Sequence, residues 1–267
     1  MNKSGQWGMR LQQAVSFSHP LARMSRTPAL FWPGCALMSL DPEILYRTFA
    51  VLRRVEPELG FSTCCCGQPT RYLEPGKFSR RQGRLIRLLH QNGVERIYAG
   101  CPNCIVQLRE LPEIQVLPFW SVLAGAITGD DLTGQAGGQY LLHDPCPMRA
   151  EVAQQEAVRT LLRLTGIQVV EPAHTREHTI CCGNYHMLRA TAPDKSAVAR
   201  RRRIAEFPPE IPVTSYCEGC LDAFRSEGCS TAHVLELLFG VSKSRGWANR
   251  LAFTGGLGRA VRRIDQI

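Results

Sequence analysis

The chain has 267 residues, of which 44% are hydrophobic and 21% charged, so it can bury a core and wholesale disorder is excluded. No run of residues reaches the roughly 18 apolar positions of a membrane-spanning helix, and residues 1–33 show no secretory signal, so we expect a cytoplasmic protein. The net charge of +9 is confined to the ends, because residues 41–236 hold 22 basic and 22 acidic side chains. A neutral body argues against nucleic-acid binding.

The first half of the chain alternates between strand and helix patterns. Residues 29–32 and 94–99 are short apolar runs, which predict strands. Residues 41–55 and 80–91 have apolar side chains at helical spacing, and Asn92-Gly93 is a typical helix end. The pattern predicts strands joined by helices.

The second half repeats this alternation. Residues 139–142, 167–170 and 212–216 predict strands, and residues 151–164 predict a helix that ends at Gly166. Strands that alternate with helices favour an α/β fold with a small, mostly parallel sheet in each half, flanked by helices.

Twelve cysteines, an unusual number for a cytoplasmic chain, reveal an internal duplication. Each half contains a cysteine, then CCG about 30–34 residues later, then CxxC 34 residues after that glycine. Cys65, Cys66, Gly67, Cys101 and Cys104 recur as Cys181, Cys182, Gly183, Cys217 and Cys220 at a constant offset of 116, and Cys35 corresponds to Cys146. A constant offset indicates two tandem copies of one unit.

The duplication divides the chain into five parts. A basic extension (1–28) precedes the first unit (29–128), a Gly-rich linker (129–138) leads to the second unit (139–240), and a basic tail follows (241–267). Both ends are typical of solvated segments. Apolar side chains among arginines in residues 247–267 also fit a short interfacial helix, weakened by glycines, that makes a peripheral contact with a membrane or an acidic partner.

The cysteines follow predicted strands, and this position favours a metal site. Cys35, Cys101, Cys146 and Cys217 each come directly after a strand, and ligands bind at the carboxyl ends of parallel strands. Cys64 leaves open whether the ligand pair is 64–65 or 65–66, although Gly67 and the constant offset favour 65–66. Cys229 has no counterpart in the first unit, and we interpret it as a core thiol.

Three kinds of cysteine chemistry compete. Disulfides are disfavoured by a reducing compartment and by adjacent cysteines, which pair only under strain. Structural zinc takes four ligands, often from two CxxC pairs, and each unit has only one, so zinc is possible in one unit. Iron–sulfur clusters are held by thiolates, usually four, so five cysteines per unit leave the cluster type open.

These motifs resemble the cysteine-rich CCG domain, which occurs in the B-type chain of heterodisulfide reductase and in iron–sulfur proteins of lactate, succinate and glycerol-3-phosphate metabolism. The segment FWPGC, which ends at Cys35, is similar to the opening of that heterodisulfide reductase chain. CCGQP at 65–69 is closer to the lactate-utilisation type, and HDPC at 143–146 is common to the group. The resemblance covers residues 29–240.

The resemblance implies two noncubane [4Fe–4S] clusters, each held by five cysteines. The first would be bound by Cys35, Cys65, Cys66, Cys101 and Cys104, and the second by Cys146, Cys181, Cys182, Cys217 and Cys220. It further implies an oxidoreductase subunit that reduces or forms a disulfide, with the substrate split between the two clusters. The chain has no ferredoxin-type, dinucleotide or Walker motif, so we expect a ferredoxin-like iron–sulfur subunit or a flavoprotein as its partner.

Two rival functions stay open: a non-catalytic electron-transfer subunit of a lactate, glycolate, succinate or sulfur-metabolising complex, and a zinc-stabilised scaffold. His143 is a candidate catalytic residue, because it could donate to a cluster sulfur or protonate a thiolate. His186 is a candidate site-lining residue, and Arg71 and Arg149 are candidates for binding an anionic substrate. The run Arg200–Arg203 predicts a solvated helix end.

Overall fold

The computed structural model describes residues 3–17, 22–134, 137–240 and 246–264. These residues contain two four-stranded sheets with the same topology. The first sheet has the order β2-β1-β3-β4 and consists of β1 (Ala29–Trp32), β2 (Leu59–Phe61), β3 (Arg96–Ala99) and β4 (Gln115–Pro118). The second has the order β6-β5-β7-β8 and consists of β5 (Gln139–Leu142), β6 (Gln168–Val170), β7 (Val213–Ser215) and β8 (Thr231–His233). Every pairing within the sheets is parallel, which confirms the duplicated α/β fold.

Helices connect and cover the strands. In the first half they are α1 (Lys3–Ser16), α2 (Gly34–Leu37), α3 (Pro42–Arg53), α4 (Gln68–Leu73), α5 (Pro75–Gln91), α6 (Pro102–Leu108) and α7 (Phe119–Ala126). In the second half they are α8 (Val152–Leu164), α9 (Leu188–Thr191), α10 (Pro193–Ile204), α11 (Glu218–Arg225), α12 (Val234–Phe239) and α13 (Trp247–Ile264).

Local sequence explains where the main elements begin and what they bury. Helix α3 begins at Pro42, the position that proline tolerates best, and the Asp41 carboxylate accepts a hydrogen bond from the Glu43 backbone N–H at 3.0 Å. All four residues of β1 are buried, as expected for a parallel strand with both faces covered. The strands that the sequence patterns missed, β2, β4 and β8, are edge strands of three or four residues, too short to show a period.

The two units share one hydrophobic core. A single cluster of buried side chains includes Phe31 and Leu45 of the first unit and Leu161 and Leu238 of the second. Trp120 of α7 packs against Tyr216, with ring centroids 5.7 Å apart, and donates its indole N–H to the Gly100 carbonyl at 3.1 Å. This shared core fixes the cysteine-bearing edges of the two sheets relative to each other.

The basic ends are not merely solvated tails, which corrects that expectation for the residues described. Helix α1 packs on α4, and its Gln13 and Ser16 are buried. Helix α13 forms despite its glycines and packs on α3, where Phe253 is buried and stacks on Tyr46 with centroids 5.4 Å apart. Phe253 is therefore not available to a membrane, whereas Trp247 on the same helix stays partly exposed. The side chains of residues 257–267 lie outside the described part.

The start of the linker is docked on the protein. Residues Gly129–Asp131 form one 3-10 turn, and the Asp131 carboxylate forms an ion pair with Arg54 at 2.5 Å. The backbone N–H groups of Thr133 and Gly134 both donate to the Leu238 carbonyl. Residues 135–136 of the linker lie outside the described residues. Across the described residues, no helix is both long enough and apolar enough to cross a bilayer.

Candidate metal centre

The cysteines lie at the carboxyl edges of the two sheets, as their spacing predicts. Cys35 lies in α2 directly after β1, and Cys101 is the N-cap of α6 after β3. In the second unit Cys146 begins a 3-10 turn after β5, and Cys217 is the N-cap of α11 after β7. All twelve cysteines lie in the described residues and none forms a disulfide, so the disulfide alternative has no support in the structure.

Each unit brings five sulfurs together in the same order of contact. In the first sulfur set, neighbouring thiols shift each other's pKa in the order Cys35, Cys65, Cys66, Cys104, Cys101. In the second sulfur set the order is Cys146, Cys181, Cys182, Cys220, Cys217. Within the first set the Cys104 thiol lies 3.4 Å from the Cys66 Sγ. The duplication therefore extends from the sequence to the contacts among the sulfurs.

Cys64 contacts other groups. Its Sγ lies 3.7 Å from the Arg23 carbonyl oxygen, and its backbone N–H donates to the Ser62 hydroxyl at 3.2 Å. Cys65 occupies the position in the first set that Cys181 occupies in the second. This arrangement favours 65–66 over 64–65 as the metal-binding pair, which stays a prediction until the ligands are tested.

Close packing of the thiols shifts the pKa values of neighbouring cysteines in opposite directions. Hydrogen bonds from Cys104 and Cys65 lower the pKa of Cys66 to about 6. A hydrogen bond from Cys146, with a second from Cys182, lowers the pKa of Cys181 to about 2. The pKa of a thiol that donates such a hydrogen bond is raised, as the contact with Cys181 raises the pKa of Cys146. Several thiolates packed this closely in a buried site need a bound cation to balance their charge.

The glycine of each CCG motif turns the chain back over its own sulfurs. Gly67 and Gly183 have φ values of 88° and 84°, a left-handed conformation that side chains rarely adopt. In this conformation the Gly67 N–H donates to Cys65 Sγ at 3.4 Å, and the Gly183 N–H donates to Cys181 Sγ at 3.2 Å. These glycines explain why CCG, rather than CC alone, is repeated.

His143 lies beside the second sulfur set, fully buried. A ring nitrogen of His143 and the sulfurs of Cys182 and Cys220 lie within 4.8 Å of one another. The Arg203 Nε–H donates to His143 Nδ1 at 3.0 Å. Burial, reinforced by the Arg203 charge, lowers the pKa of His143 well below its usual value, so the ring is neutral.

The arginine run of α10 is not a solvated helix end, which corrects that prediction. Arg203 is fully buried, and its Nη1 donates to the His174 carbonyl at 2.6 Å and to the Glu206 carboxylate at 2.9 Å. Arg200 is also buried and pairs with Glu227 at 2.7 Å. Only the two middle arginines of the run are exposed. Helical spacing of three residues explains why the first and last members of the run turn inward together.

The terminal helices supply groups to the first sulfur set. The Cys65 thiol donates to Gln13 Oε1 at 3.5 Å, and the Thr70 hydroxyl donates to the same oxygen at 3.0 Å. Arg250 of α13 is buried and donates to the Ser16 hydroxyl at 2.8 Å. The hydrogen bond with Cys65 and burial raise the pKa of Cys35, and the Arg250 charge lowers it by a smaller amount. Sequence reasoning missed both residues, because neither lies within the repeat.

The remaining candidates have structural contacts. The Arg149 guanidinium donates to the Thr179 carbonyl at 2.8 Å, and Arg71 pairs with the Glu110 carboxylate. His186 has a φ of 55° and stacks on Tyr72 of the first unit, with centroids 4.8 Å apart. Cys229 is half-buried rather than fully buried and packs against the small apolar cluster of the second unit. These residues brace the site and the boundary between the units.

A narrow cleft, with room for about one water molecule, reaches the second sulfur set. Cys182, Cys217 and Cys220 line it together with Asn184 and Tyr185, and Asn103 of the first unit closes one side. The second sulfur set is therefore reached by a water-sized group from the boundary between the two units.

The donor set fits a thiolate-bound metal or iron–sulfur group. Gly34, at φ 74°, packs so closely against the first set that a Cβ atom would clash with Cys104 Sγ at 2.7 Å, so the position requires glycine. Near the second set, His143 Nε2 and Arg203 Nη2 are buried without a hydrogen-bond acceptor among the described residues. Soft sulfur ligands surrounded by unused N–H donors suit an electron-rich metal–sulfur group.

No curated protein matches the chain. Solved structures that match include an aspartate racemase homologue from Pyrococcus horikoshii OT3, with 12% identity, a TM-score of 0.27, and coverage of 90% of this chain and 99% of that one. Another is a candidate Asp/Glu racemase from Yersinia pestis, with 12% identity, a TM-score of 0.28, and coverage of 89% and 100%. Values this low carry no conclusion about this chain.

The family comparison is specific. The sequence model of the CCG cysteine-rich domain matches residues 29–109 and again residues 140–225. The two matches cover both sulfur sets and most of both sheets, and they coincide with the duplication found in the sequence and in the fold. The chain therefore belongs to the CCG cysteine-rich domain family, of which it contains two copies in tandem.

Proposed function

We propose that the chain holds two iron–sulfur clusters, one in each sulfur set, and acts as the iron–sulfur subunit of an oxidoreductase that reduces or forms a disulfide. One observation carries the proposal: two sets of five cysteines make the same contacts in the same order. Structural zinc takes four ligands, so a fifth cysteine repeated in both units favours a larger metal–sulfur group. The five-cysteine noncubane [4Fe–4S] cluster of the resembling proteins is the type we expect.

We propose that the substrate brings one sulfur atom into this cleft. The cleft exposes three cysteines of the second sulfur set, and its other walls include amide and phenol groups rather than an extended apolar surface. A cluster held by the second sulfur set would supply single electrons to a sulfur in the cleft. The side chains of Asn184 and Asn103 are placed to orient the polar part of such a molecule, since both line the cleft.

The chain must exchange electrons with another protein. We propose a ferredoxin-like iron–sulfur subunit or a flavoprotein as this partner, in the cytoplasm. Trp247 and Leu251, both partly exposed on α13, are the described apolar side chains from which a peripheral membrane contact would begin.

A second function, electron transfer without substrate chemistry, is favoured by the asymmetry of the two sets. The cleft is lined by cysteines of the second set, whereas Gln13 and Arg250 of the terminal helices cover the first. A disulfide split between two clusters needs both of them to face one cavity. A covered first set is suited to relaying electrons to the second, or through the chain to a partner.

Metal analysis and an activity assay separate these functions. Iron, acid-labile sulfide and zinc are measured per chain on anaerobically purified protein, with EPR on the same sample. About eight irons and an EPR signal that changes on addition of a thiol would support two clusters and sulfur chemistry. Zinc near two with no iron, even after reconstitution, would contradict the redox function and leave the scaffold. Reduction of a small disulfide with an artificial electron donor then distinguishes the catalytic subunit from the electron-transfer subunit.

A further inference from the structure

The tautomer of His143 is fixed by its neighbour. Arg203 can only donate hydrogen bonds, and its Nε–H points at His143 Nδ1 from 3.0 Å. In a neutral imidazole with an accepting Nδ1, the proton lies on Nε2. This Nε2–H group is buried and has no acceptor among the described residues. An unsatisfied buried donor is costly, so the folded protein should provide an acceptor that the polypeptide itself lacks.

The nearest electron-rich atoms are sulfurs. A ring nitrogen of His143 lies within 4.8 Å of Cys182 Sγ and Cys220 Sγ. The ring is held on one side by Phe224, whose ring meets it edge-on with centroids 4.9 Å apart. The Nη2 of Arg203 is also buried without an acceptor, on the guanidinium whose Nε–H contacts the same ring. Two N–H donors therefore lie beside the second sulfur set without partners among the described residues.

The first unit has a ring N–H at the same position. Trp32 lies three residues before Cys35, as His143 lies three residues before Cys146. In the first sheet, Trp32 is the strand partner of Ala99, which lies two residues before Cys101. In the second unit, the His143 carbonyl accepts a hydrogen bond from Ser215, which lies two residues before Cys217. The buried Trp32 Nε1–H also has no acceptor among the described residues. Imidazole and indole share little at this position except a ring N–H, which is the property that the site requires.

We propose that His143 donates its Nε2–H to a sulfur of the metal group held by the second sulfur set, with Arg203 fixing the tautomer, and thereby raises the reduction potential of that group. The inference rests on the cluster binding proposed above. A proton on Nε2 prevents that nitrogen from serving as a metal ligand. Hydrogen bonds to cluster sulfurs stabilise the reduced, more negative state. His143 is thus a positioning residue that raises the reduction potential of the second site.

The test is a reductive titration followed by EPR on the full-length, anaerobically purified chain. His143→Leu removes the donor, and we expect about a tenfold shift toward the oxidised state at a given potential, which is about 59 mV for one electron. His143→Gln restores an acceptor for Arg203 and an N–H for the sulfur, so it should recover most of the shift. The signal of the first cluster serves as an internal reference. His178→Gln, at an exposed histidine of the same unit, is the matched control and should leave both potentials unchanged.

A spectroscopic measurement separates a donor from a ligand. With 15N-labelled histidine, a hydrogen-bonded imidazole gives a weak hyperfine coupling to the reduced cluster, which His143→Leu should abolish. A strong coupling, or loss of the second cluster in both His143 variants, would overturn the inference by making His143 a ligand. An unchanged potential in a His143→Leu chain that keeps both clusters would overturn the inference alone. A wild-type chain without iron would overturn the proposed function and this inference with it.

Discussion

Gln13 Oε1 lies 3.5 Å from Cys65 Sγ, so the N-terminal helix touches a sulfur set that the repeat alone would leave open. Gln13 is buried, and its side-chain oxygen accepts a hydrogen bond from the hydroxyl of Thr70 on α4. An amide can reverse its orientation and offer an N–H instead of its oxygen, so the same side chain suits both a thiol and a metal-bound thiolate. The N-terminal extension is therefore part of the first site.

Replacing Gln13 should expose the first cluster. Gln13→Ala removes the contacts with Cys65 and Thr70 and opens a path for water, at a cost of about 1–2 kcal/mol in the free energy of unfolding. We expect the first cluster to bleach severalfold faster in air while the second is unaffected, as followed by absorbance and EPR. Leu11→Ala, at a half-exposed position of the same helix, is the control. Equal bleaching of wild type and Gln13→Ala would show that α1 does not protect the site.

Arg250 should set the metal affinity of the first set. Its buried guanidinium lowers the pKa of the Cys35 thiol, against the hydrogen bond with Cys65 and burial, which both raise it. Arg250→Leu removes this charge, so thiolates become harder to form and metal binding weakens. We expect the first site to lose its metal to a chelator at a severalfold lower concentration, while the second keeps it.

The matched control for Arg250→Leu is Arg54→Leu, which removes a surface arginine whose partner is Asp131. That variant should leave both metal sites intact. Loss of metal from both sets in Arg250→Leu would indicate general unfolding rather than a local charge effect.

The ligand pair of the first unit can be decided by two serine variants. Cys66 lies within the first sulfur set, whereas Cys64 contacts Arg23 and Ser62. Cys66→Ser should abolish the first cluster and halve the iron content, and Cys64→Ser should retain it. The opposite result, with the cluster lost in Cys64→Ser and kept in Cys66→Ser, would make 64–65 the pair.

Arg159 should be a large contributor to stability next to the second site. It is buried and pairs with the fully buried Asp144 at 2.7 Å and with Glu171 at 2.7 Å. Arg159→Met leaves the Asp144 carboxylate buried and unpaired, which costs about 3–5 kcal/mol. Urea denaturation should show this loss, whereas the exposed Arg163→Met should change stability by less than about 0.5 kcal/mol. A small effect of Arg159→Met would mean that Tyr216 and water compensate Asp144.

Acid should weaken the same network. Hydrogen bonds from Arg159 and Thr175 lower the pKa of Glu171, against the larger single effect of burial, which raises it. The pKa of Glu171 is therefore lower in the folded chain than in the unfolded chain, where it is about 4.3. The ionised carboxylate stabilises the fold fully above the unfolded-state pKa, and this stabilisation is lost as the pH falls through the folded-state pKa. Glu171→Gln should therefore flatten the fall in stability below about pH 4.5, measured by urea denaturation at several pH values. An identical acid slope in both proteins would contradict this role.

The sequence determined what depends on short-range spacing. Adjacent cysteines, the CCG glycine and CxxC each act within one turn of chain, so their repetition at a constant offset revealed two units and their α/β class. It also located Cys35, Cys101, Cys146 and Cys217 at strand ends, because a strand followed by a turn is a local pattern.

Only the tertiary structure decided which distant groups surround the sulfurs. Gln13 and Arg250 come from helices outside the repeat, and polar side chains in such segments are typical of solvated tails. Arg203 belongs to a charged run, and its burial depends on two partners at once. These partners are Glu206, three residues away, and His143, about 60 residues away. A single sequence shows the charge of such residues but not their partners, because long-range packing, rather than local propensity, determines whether a buried charge is compensated.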